Sequence, residues 1–503
     1  MRPEYRLMTR LALVITLVSV VSAQEQSAIR NGLTENTHYR VVDIGTFGGP
    51  NGHMSIGTHI LNNSGIFTSY SDTAIPDPYA PDGCWDGDCL VAHVARWKHG
   101  QLMDLGSLDA GPNGESNWIS ENGLIAGDSQ NGLLDPLVGA WQIRGVLWKR
   151  GKIIEVGTLG EGYNSLARAV NNAGEVVGLS TTNVPDAQAM ILNFGLPYAY
   201  QTRAYRWKDG VIQDLGTLGG PDAMALGIND RGQIIGNSYT GLEPSAICGL
   251  STGAFLWHDG IMINLGSFGG TCTQVSAINN RGQVVGNSSL PGDKAFHPFL
   301  WERGELRDLG TKGGNFASPT AMNDAGDVAG WASLPGDDNI IHATLWTGGR
   351  VIDLGSLGPG QCSIAFGINS QKQVVGLSGN CDFYDPSLRA VIWEPGKAMV
   401  DLNVLIAPGL GVQLRNVADI NDRGEMAAVG WFDDDTHRPV LLFPCGKQHE
   451  DCGDVVSAGR QTNRRLATPA VRSRYTIMTA WPSALFQWRK RVVGDGRASF
   501  GKR

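Results

Sequence analysis

The sequence predicts an all-β fold, a β-propeller of about eight four-stranded blades closed by pairing of the N- and C-terminal strands. Three observations carry this. The segment AYRWKDGVIQDLGTLGGPDAMALGINDRGQIIGNS from Ala204 returns as AFLWHDGIMINLGSFGGTCTQVSAINNRGQVVGNS from Ala254, and self-similarity at a period near fifty marks a repeat architecture. Each copy reads as four short apolar runs separated by turn residues, which the 68 glycines among 503 residues supply. The first copy lacks its Trp-bearing strand, and an equivalent run, Arg438-Pro-Val-Leu-Leu-Phe443, stands alone at the end. Two strands left over at opposite ends of a chain can complete one sheet, as a ring requires and a linear β-solenoid does not.

The elements follow in order. Residues 1–23 join Arg2, Arg6 and Arg10 to an apolar run from Leu11 to Val21, then Ser22 and Ala23, the pattern of a cleaved signal peptide. That run is short against the roughly 20 residues a membrane span needs, so an uncleaved anchor is the weaker reading, and the mature chain has no membrane span. Residues 24–38 form an N-terminal linker. Residues 39–444 hold the repeats, with the DLG element or its variant at Asp43, Asp104, Glu155, Asp214, Asn264, Asp308, Asp353 and Asp401. Residues 445–503 form a Cys-bridged, basic tail whose last fifty residues carry eleven Lys/Arg against two acids, and this composition predicts disorder.

Within a copy, the Trp strand ends at a two-residue turn such as Asp209-Gly210, which suits a type I′ hairpin. The second strand ends at DLG, where paired glycines let the chain turn away. The third ends at Ile228-Asn229-Asp230, and a Gly-containing loop reverses it into the fourth. Register arithmetic on the hairpin places the Trp opposite the residue five later and the DLG acid opposite the residue two before the Trp. His93, Arg144, Arg203, His297, His342, Arg389 and Arg438 then lie diagonal to an acid, with Gly253 the exception. A pairing made in almost every blade is structural, not catalytic, because no reaction needs eight sites.

The repeat resembles the HAF-type extracellular repeat of exported bacterial proteins, whose units look like AFLWxxGxxxDLGxLGG followed by INxxGxVVG. The likeness covers about residues 39 to 444. It implies secretion and a propeller-like β fold, and it brings no catalytic residues. Departures are Glu155 and Asn264 at the acid, Ser370-Gln371-Lys372 in place of the Gly loop, and the Trp-less last strand.

Eight cysteines in an exported chain fall as neighbours, Cys84/Cys89, Cys248/Cys272, Cys362/Cys381 and Cys445/Cys452, and four local disulfides is the simplest reading. None of these spacings is C-x-x-C, so no metal site is expected at the cysteines. The formal net charge of −8 argues against a nucleic-acid partner. No zincin motif, P-loop or dinucleotide fingerprint occurs, so catalytic residues and cofactors are expected to be absent.

Function must then sit where copies differ. Insertions at residues 70–92, 129–143, 180–202 and 238–252 emerge on one rim and bring aromatic residues beside acids. Tyr79, Trp85, Trp141, Tyr198 and Tyr200 are the candidates for stacking on a ligand, though satellite cores under the loops would use them equally. Asp82, Asp86 and Asp88 surround Cys84 and Trp85 and could hold Ca2+, without the length or terminal Glu of an EF-hand. The expectation is an exported, extracellular, cell-surface or periplasmic monomer that binds a glycan or a protein at this rim. The alternative is a glycan-acting hydrolase or lyase with acids at the channel mouth.

Overall fold

The structure is a computed structural model and describes residues 38–81, 84–189, 199–382 and 385–445. Thirty-two strands make eight four-stranded antiparallel sheets, and one short 3-10 helix, Leu402–Val404, accompanies them among the described residues. The fourth blade shows the plan: Ala223–Ile228, Ile234–Ser245, Gly249–His258 and Ile261–Asn264 lie side by side in that order. First strands of blades two to eight touch one another in succession, so first strands are innermost and line the central channel.

The blade is offset from the sequence repeat. Each sheet takes the third and fourth strands of one copy and the Trp and DLG strands of the next. The reason is local. The Gly-rich turn and the Asp-Gly hairpin are too tight to leave a sheet, whereas the DLG-to-GG linker crosses to the neighbouring blade. At the seam, Tyr39–Asp43 pairs antiparallel with His437–Pro444, placing Val41 opposite Leu442 and Val42 opposite Leu441. Met426–Phe432 and Val412–Ile420 complete that eighth sheet. The ring is therefore closed by strands from both ends of the described chain.

Core packing runs between blades. Trp97, Trp148, Trp207, Trp257, Trp301 and Trp346 are all at most 7% exposed. Trp257 packs with Ile228, Ile234 and Phe255 of its own blade and with Val177 and Ala204 of the preceding one. Tight layering also explains the Gly of the VVG run. A Cβ on Gly236 would sit 2.1 Å from the Met224 carbonyl oxygen and 2.4 Å from the Phe255 ring, closer than any side chain can pack.

The hairpin register is the one the arithmetic predicts: Trp207 faces Ile212 and Asp214 faces Tyr205. All seven cation–acid pairs form, with N to O distances of 2.9 Å for His93–Asp104, 3.0 Å for Arg144–Glu155, 3.8 Å for Arg203–Asp214, 2.8 Å for His297–Asp308, 3.0 Å for His342–Asp353, 4.0 Å for Arg389–Asp401 and 2.8 Å for Arg438–Asp43. Most of the acids also accept from the amide two residues on, as Asp214 does from Gly216 and Asn264 from Gly266. Asn264 thus keeps the turn while giving up the charge.

The Asn of the INxxGxVVG element does more than make a turn. Asn229 Nδ2 donates to the Asn279 carbonyl of the next blade, Asn279 to Asn323, Asn323 to Asn369, Asn369 to Asn421, and Asn421 to Asn62 across the seam. Asn171 joins this series and Asn62 extends it to Ser120. A girdle of side-chain to main-chain bonds thus ties the blades together on the face opposite the long loops.

Cys84–Cys89, Cys248–Cys272 and Cys362–Cys381 are disulfides, as their spacing predicts. Cys445 is also oxidised, and Cys452 lies outside the described residues. So do residues 1–23, where a signal peptide is expected, almost all of the 24–38 linker and the basic tail beyond Cys445. No helix among the described residues is long and apolar enough to cross a membrane.

Candidate functional site

The four insertions do emerge on one face, each between the second and third strands of blades one to four. Two are built on the same brace. In blade one the buried Asp77 accepts from the amides of Tyr79 and Trp85 and from Asn113 Nδ2 of blade two at 2.8 Å. In blade two the buried Asp135 accepts from Asn164 Nδ2 of blade three at 2.7 Å and from the Tyr200 hydroxyl at 2.6 Å. A carboxylate at each loop base therefore grips an Asn of the next blade.

These braces decide what the aromatic residues do. Tyr200 is 1% exposed and serves as a hydrogen-bond donor inside the rim. Tyr79 and Trp141 stack on each other, ring centroids 3.5 Å apart, joining the first two loops. Trp85 is half-buried beside Asp77. Tyr198 and Asp82 lie outside the described residues. Among the described residues of the four loops, the large apolar side chains that stand exposed are aliphatic: Ile75, Leu133, Leu134, Leu137, Val184 and Leu242 are 45% to 69% exposed.

A second grouping lies at the base of the first loop, where blade one meets the seam. The innermost strand Gly48–His53 is irregular: Gly48 pairs with Thr73 and Gly52 with Ser71, so more residues stand on one strand than on the other. That bulge turns the Asn51 amide onto Asp72 Oδ2 at 2.9 Å. It also requires glycine, since a Cβ on Gly49 would meet the Asp72 Cβ at 2.3 Å. His53 stacks on Tyr70, with centroids 5.1 Å apart, and meets His437 edge-on at 5.2 Å. The disulfide-bridged turn then folds Asp86 and Asp88 over the same point. His53 Nε2 lies 3.7 Å from Asp72 Oδ1 and 3.9 Å from Asp86 Oδ2. One ligand-type atom from each of His53, Asp72 and Asp88 falls within 4.8 Å of the others.

Burial governs the protonation of this group. It pushes the fully buried Asp72 carboxyl up to about 7, with His53 pulling the other way. Asp86 is raised by burial as well. On Asp88, burial is outweighed by hydrogen bonds from Asp72, Asn51 and the Leu90 amide, which hold it below the usual range. His53 is raised: burial opposes its charge, but the adjacent carboxylates of Asp72, Asp86 and Asp88 prevail. His437, buried next to it, is pushed down to about 3.

At the level of His53 on the neighbouring blade, Glu115 of blade two stands opposite Asp128, and burial raises both carboxyls while Arg168 of blade three restrains the rise. Asp128 also accepts from Asn117 Nδ2 and the Ala167 amide. The string Gly249-Leu-Ser251-Thr-Gly253 has the spacing of a hydrolase nucleophile elbow. It lies within the strand Gly249–His258 and not at a strand-to-helix turn, so it lacks the context that motif needs.

Sequence reasoning singled out Asp86 and Asp88 and missed their partner His53. Its signal was the run Gly48-Gly-Pro-Asn-Gly-His53, which replaces the apolar inner strand of the other copies. That departure reads as a poor strand until the seam is closed around it.

The fold and this cluster together define an eight-bladed β-propeller with a His and carboxylate group at the loop-side mouth of its channel. No protein family matches the chain, and no curated protein matches it. Among solved structures it is similar to the Dos1 propeller, at 8% identity and a TM-score of 0.46 over 82% of this chain and 95% of that one. It is similar to oligogalacturonate lyase in complex with manganese, at 11% identity and 0.41 over 81% and 95%. It is also similar to the β-propeller domain of the Trilobed protease from Pyrococcus furiosus, at 10% identity and 0.40 over 70% and 98%.

Proposed function

We propose that the chain is an exported, non-enzymatic binding scaffold that holds a protein partner on the loops of blades one to four. The observation that carries this reading is the aliphatic rim. Six large apolar side chains stand in solvent on the four long loops, and the short links of blades five, six and eight add none among the described residues. Buried Asp braces stiffen the first two of these loops, so that part of the surface is presented in one shape, which lowers the entropy lost on binding. Exposed aliphatic groups on a stiff support favour a protein over a sugar, whose stacking needs free aromatic faces. Three disulfides, the signal-like N-terminus and the likeness to exported HAF-type repeats support an oxidising location.

The test places a photo-crosslinking residue at Leu134 or Leu242 in the full chain, with Gly336 on the short-link side as control, in the cells that make the protein. A discrete heavier species from the rim positions alone is the expected result. Free chain at every position, or the same adduct from Gly336, overturns the reading.

The convergence of Asp72, Asp86, Asp88 and Glu115 favours a second reading, a glycan-acting hydrolase or lyase. A raised acid beside an ionised one is the arrangement acid–base chemistry uses. Release of reducing ends or unsaturated sugars from any polysaccharide, abolished by Asp72→Asn, would replace the first reading with this one.

A further inference from the structure

We propose that His53, Asp72 and Asp88, with Asp86 beside His53, bind one divalent transition-metal ion, of the zinc or manganese class, at the loop-side mouth of the channel. This is independent of the rim reading above.

Two buried carboxylate oxygens argue for a missing partner of positive charge. Asp72 is 0% exposed, and its Oδ1 has no hydrogen-bond donor, while Oδ2 is held by Asn51. Asp86 Oδ2 is likewise buried without a donor. An acceptor closed off from water and left unmatched costs about 1 to 3 kcal/mol, more when charged, so native structures seldom keep one without a ligand. Both oxygens point at the His53 Nε2, at 3.7 and 3.9 Å. Those spacings are too long for hydrogen bonds. They sit near the roughly 3.4 Å edge of a tetrahedron of ligands placed about 2.1 Å from a metal.

The surrounding residues hold the donors in place. Tyr70 stacks on the imidazole of His53. Asn51 orients two carboxylates, by its amide to Asp72 and by its Nδ2 to Asp88 Oδ2 at 3.1 Å. Its own Oδ1 accepts from the His437 amide, so this support exists only once the ring has closed. The Cys84–Cys89 bridge constrains the turn that delivers Asp86 and Asp88. Outer contacts of this kind are what metal sites use to fix ligand direction.

An imidazole among carboxylates selects the metal. Ca2+ and Mg2+ take oxygen shells, whereas a neutral ring nitrogen suits zinc and its first-row neighbours. The Ca2+ expected from Asp82, Asp86 and Asp88 alone gives way to an ion held by His53.

Isothermal titration of the chelator-treated chain with Zn2+, Mn2+ and Ca2+ tests this, alongside Co2+ followed by its visible absorption. Zn2+ or Mn2+ binding at one ion per chain is expected, at least about tenfold tighter than Ca2+. Asp72→Asn and Asp88→Asn should weaken it about 10- to 100-fold or more, and His53→Gln should change the Co2+ spectrum. Asp88 is surface-exposed, so Asp88→Asn keeps the test valid if the buried variants fail to fold, and Asp214→Asn is the unaffected control. No one-to-one binding in the parent chain, preference for Ca2+, or equal affinity in Asp88→Asn and the parent would each overturn the assignment.

Discussion

The seam pair Arg438–Asp43 should be worth far more than the looser, more exposed pair Arg203–Asp214 within blade three. Arg438 Nε donates to Asp43 Oδ1 and Oδ2 at 2.9 and 3.0 Å, and Nη2 donates to Oδ2 at 2.8 Å. The side chains are only 18% and 12% exposed. The guanidinium also lies over the Phe432 ring, 3.6 Å from its centroid. In Arg203–Asp214 the nearest approach is 3.8 Å and the acid is 47% exposed. Charge-assisted, shielded hydrogen bonds contribute about 1.5 to 3 kcal/mol, and an exposed ion pair about 0.2 to 1 kcal/mol. A double-mutant cycle on Arg438→Met and Asp43→Asn should therefore give a coupling near 2 kcal/mol. The same cycle on Arg203→Met and Asp214→Asn should give about 0.3 kcal/mol. Asn at 43 preserves an acceptor for the Gly45 amide, which Asp43 caps at 2.9 Å, and Met preserves the aliphatic stem, so the cycle isolates the ion pair. Guanidinium unfolding followed by Trp fluorescence supplies both values. Because the seam pair joins residues 395 apart in sequence, its loss should also speed unfolding. Equal couplings for the two pairs, or no change in the unfolding rate, would refute the view that the seam is the ring's critical joint.

Two further outcomes follow from other contacts. His59 sits between Asp419 and Glu121, each 3.4 Å from a ring nitrogen; burial works against its charge, but the two carboxylates raise it to about 10. A raised His stabilises the fold fully below its unfolded value near 6.5, and that contribution fades as pH climbs toward 10. The penalty of His59→Gln should thus be largest at pH 6 and shrink through pH 7 to 10, and a pH-independent difference in unfolding free energy would contradict it. Trp257→Ala should cost ~3 to 5 kcal/mol, because it empties a site shared by two blades, and a loss under about 1 kcal/mol in the same unfolding assay would show that the blades do not depend on that contact.

Much of this was written locally. Asp-Gly and Gly-Gly pairs specify turns through the φ values they permit, and Asp209 and Gly210 adopt φ of 48° and 89° as the hairpin requires. Period-two pairing then determines which cation meets which acid, so the ion pairs could be placed by counting. The unmatched strands at the two ends announced closure, and neighbouring cysteines announced their bridges.

What arises between blades could not be counted out in this way. Asn229 reads as a turn residue, and only the ring brings the Asn279 carbonyl to its amide. Tyr79, Trp141 and Tyr200 read as faces for a ligand, yet braces between neighbouring blades direct the first two onto each other and bury the third. His53 and Asp72 stand in paired strands, but Asp86 and Asp88 come from a loop and His437 from the far end of the chain. Sequence carries the short-range part of a repeat because turn geometry and strand register depend on a few adjacent residues. The tertiary structure alone decides the mouth, because a bulged inner strand and a bridged loop must fold onto one another to gather its donors in blade one, and His437 supports them only once the ring has closed.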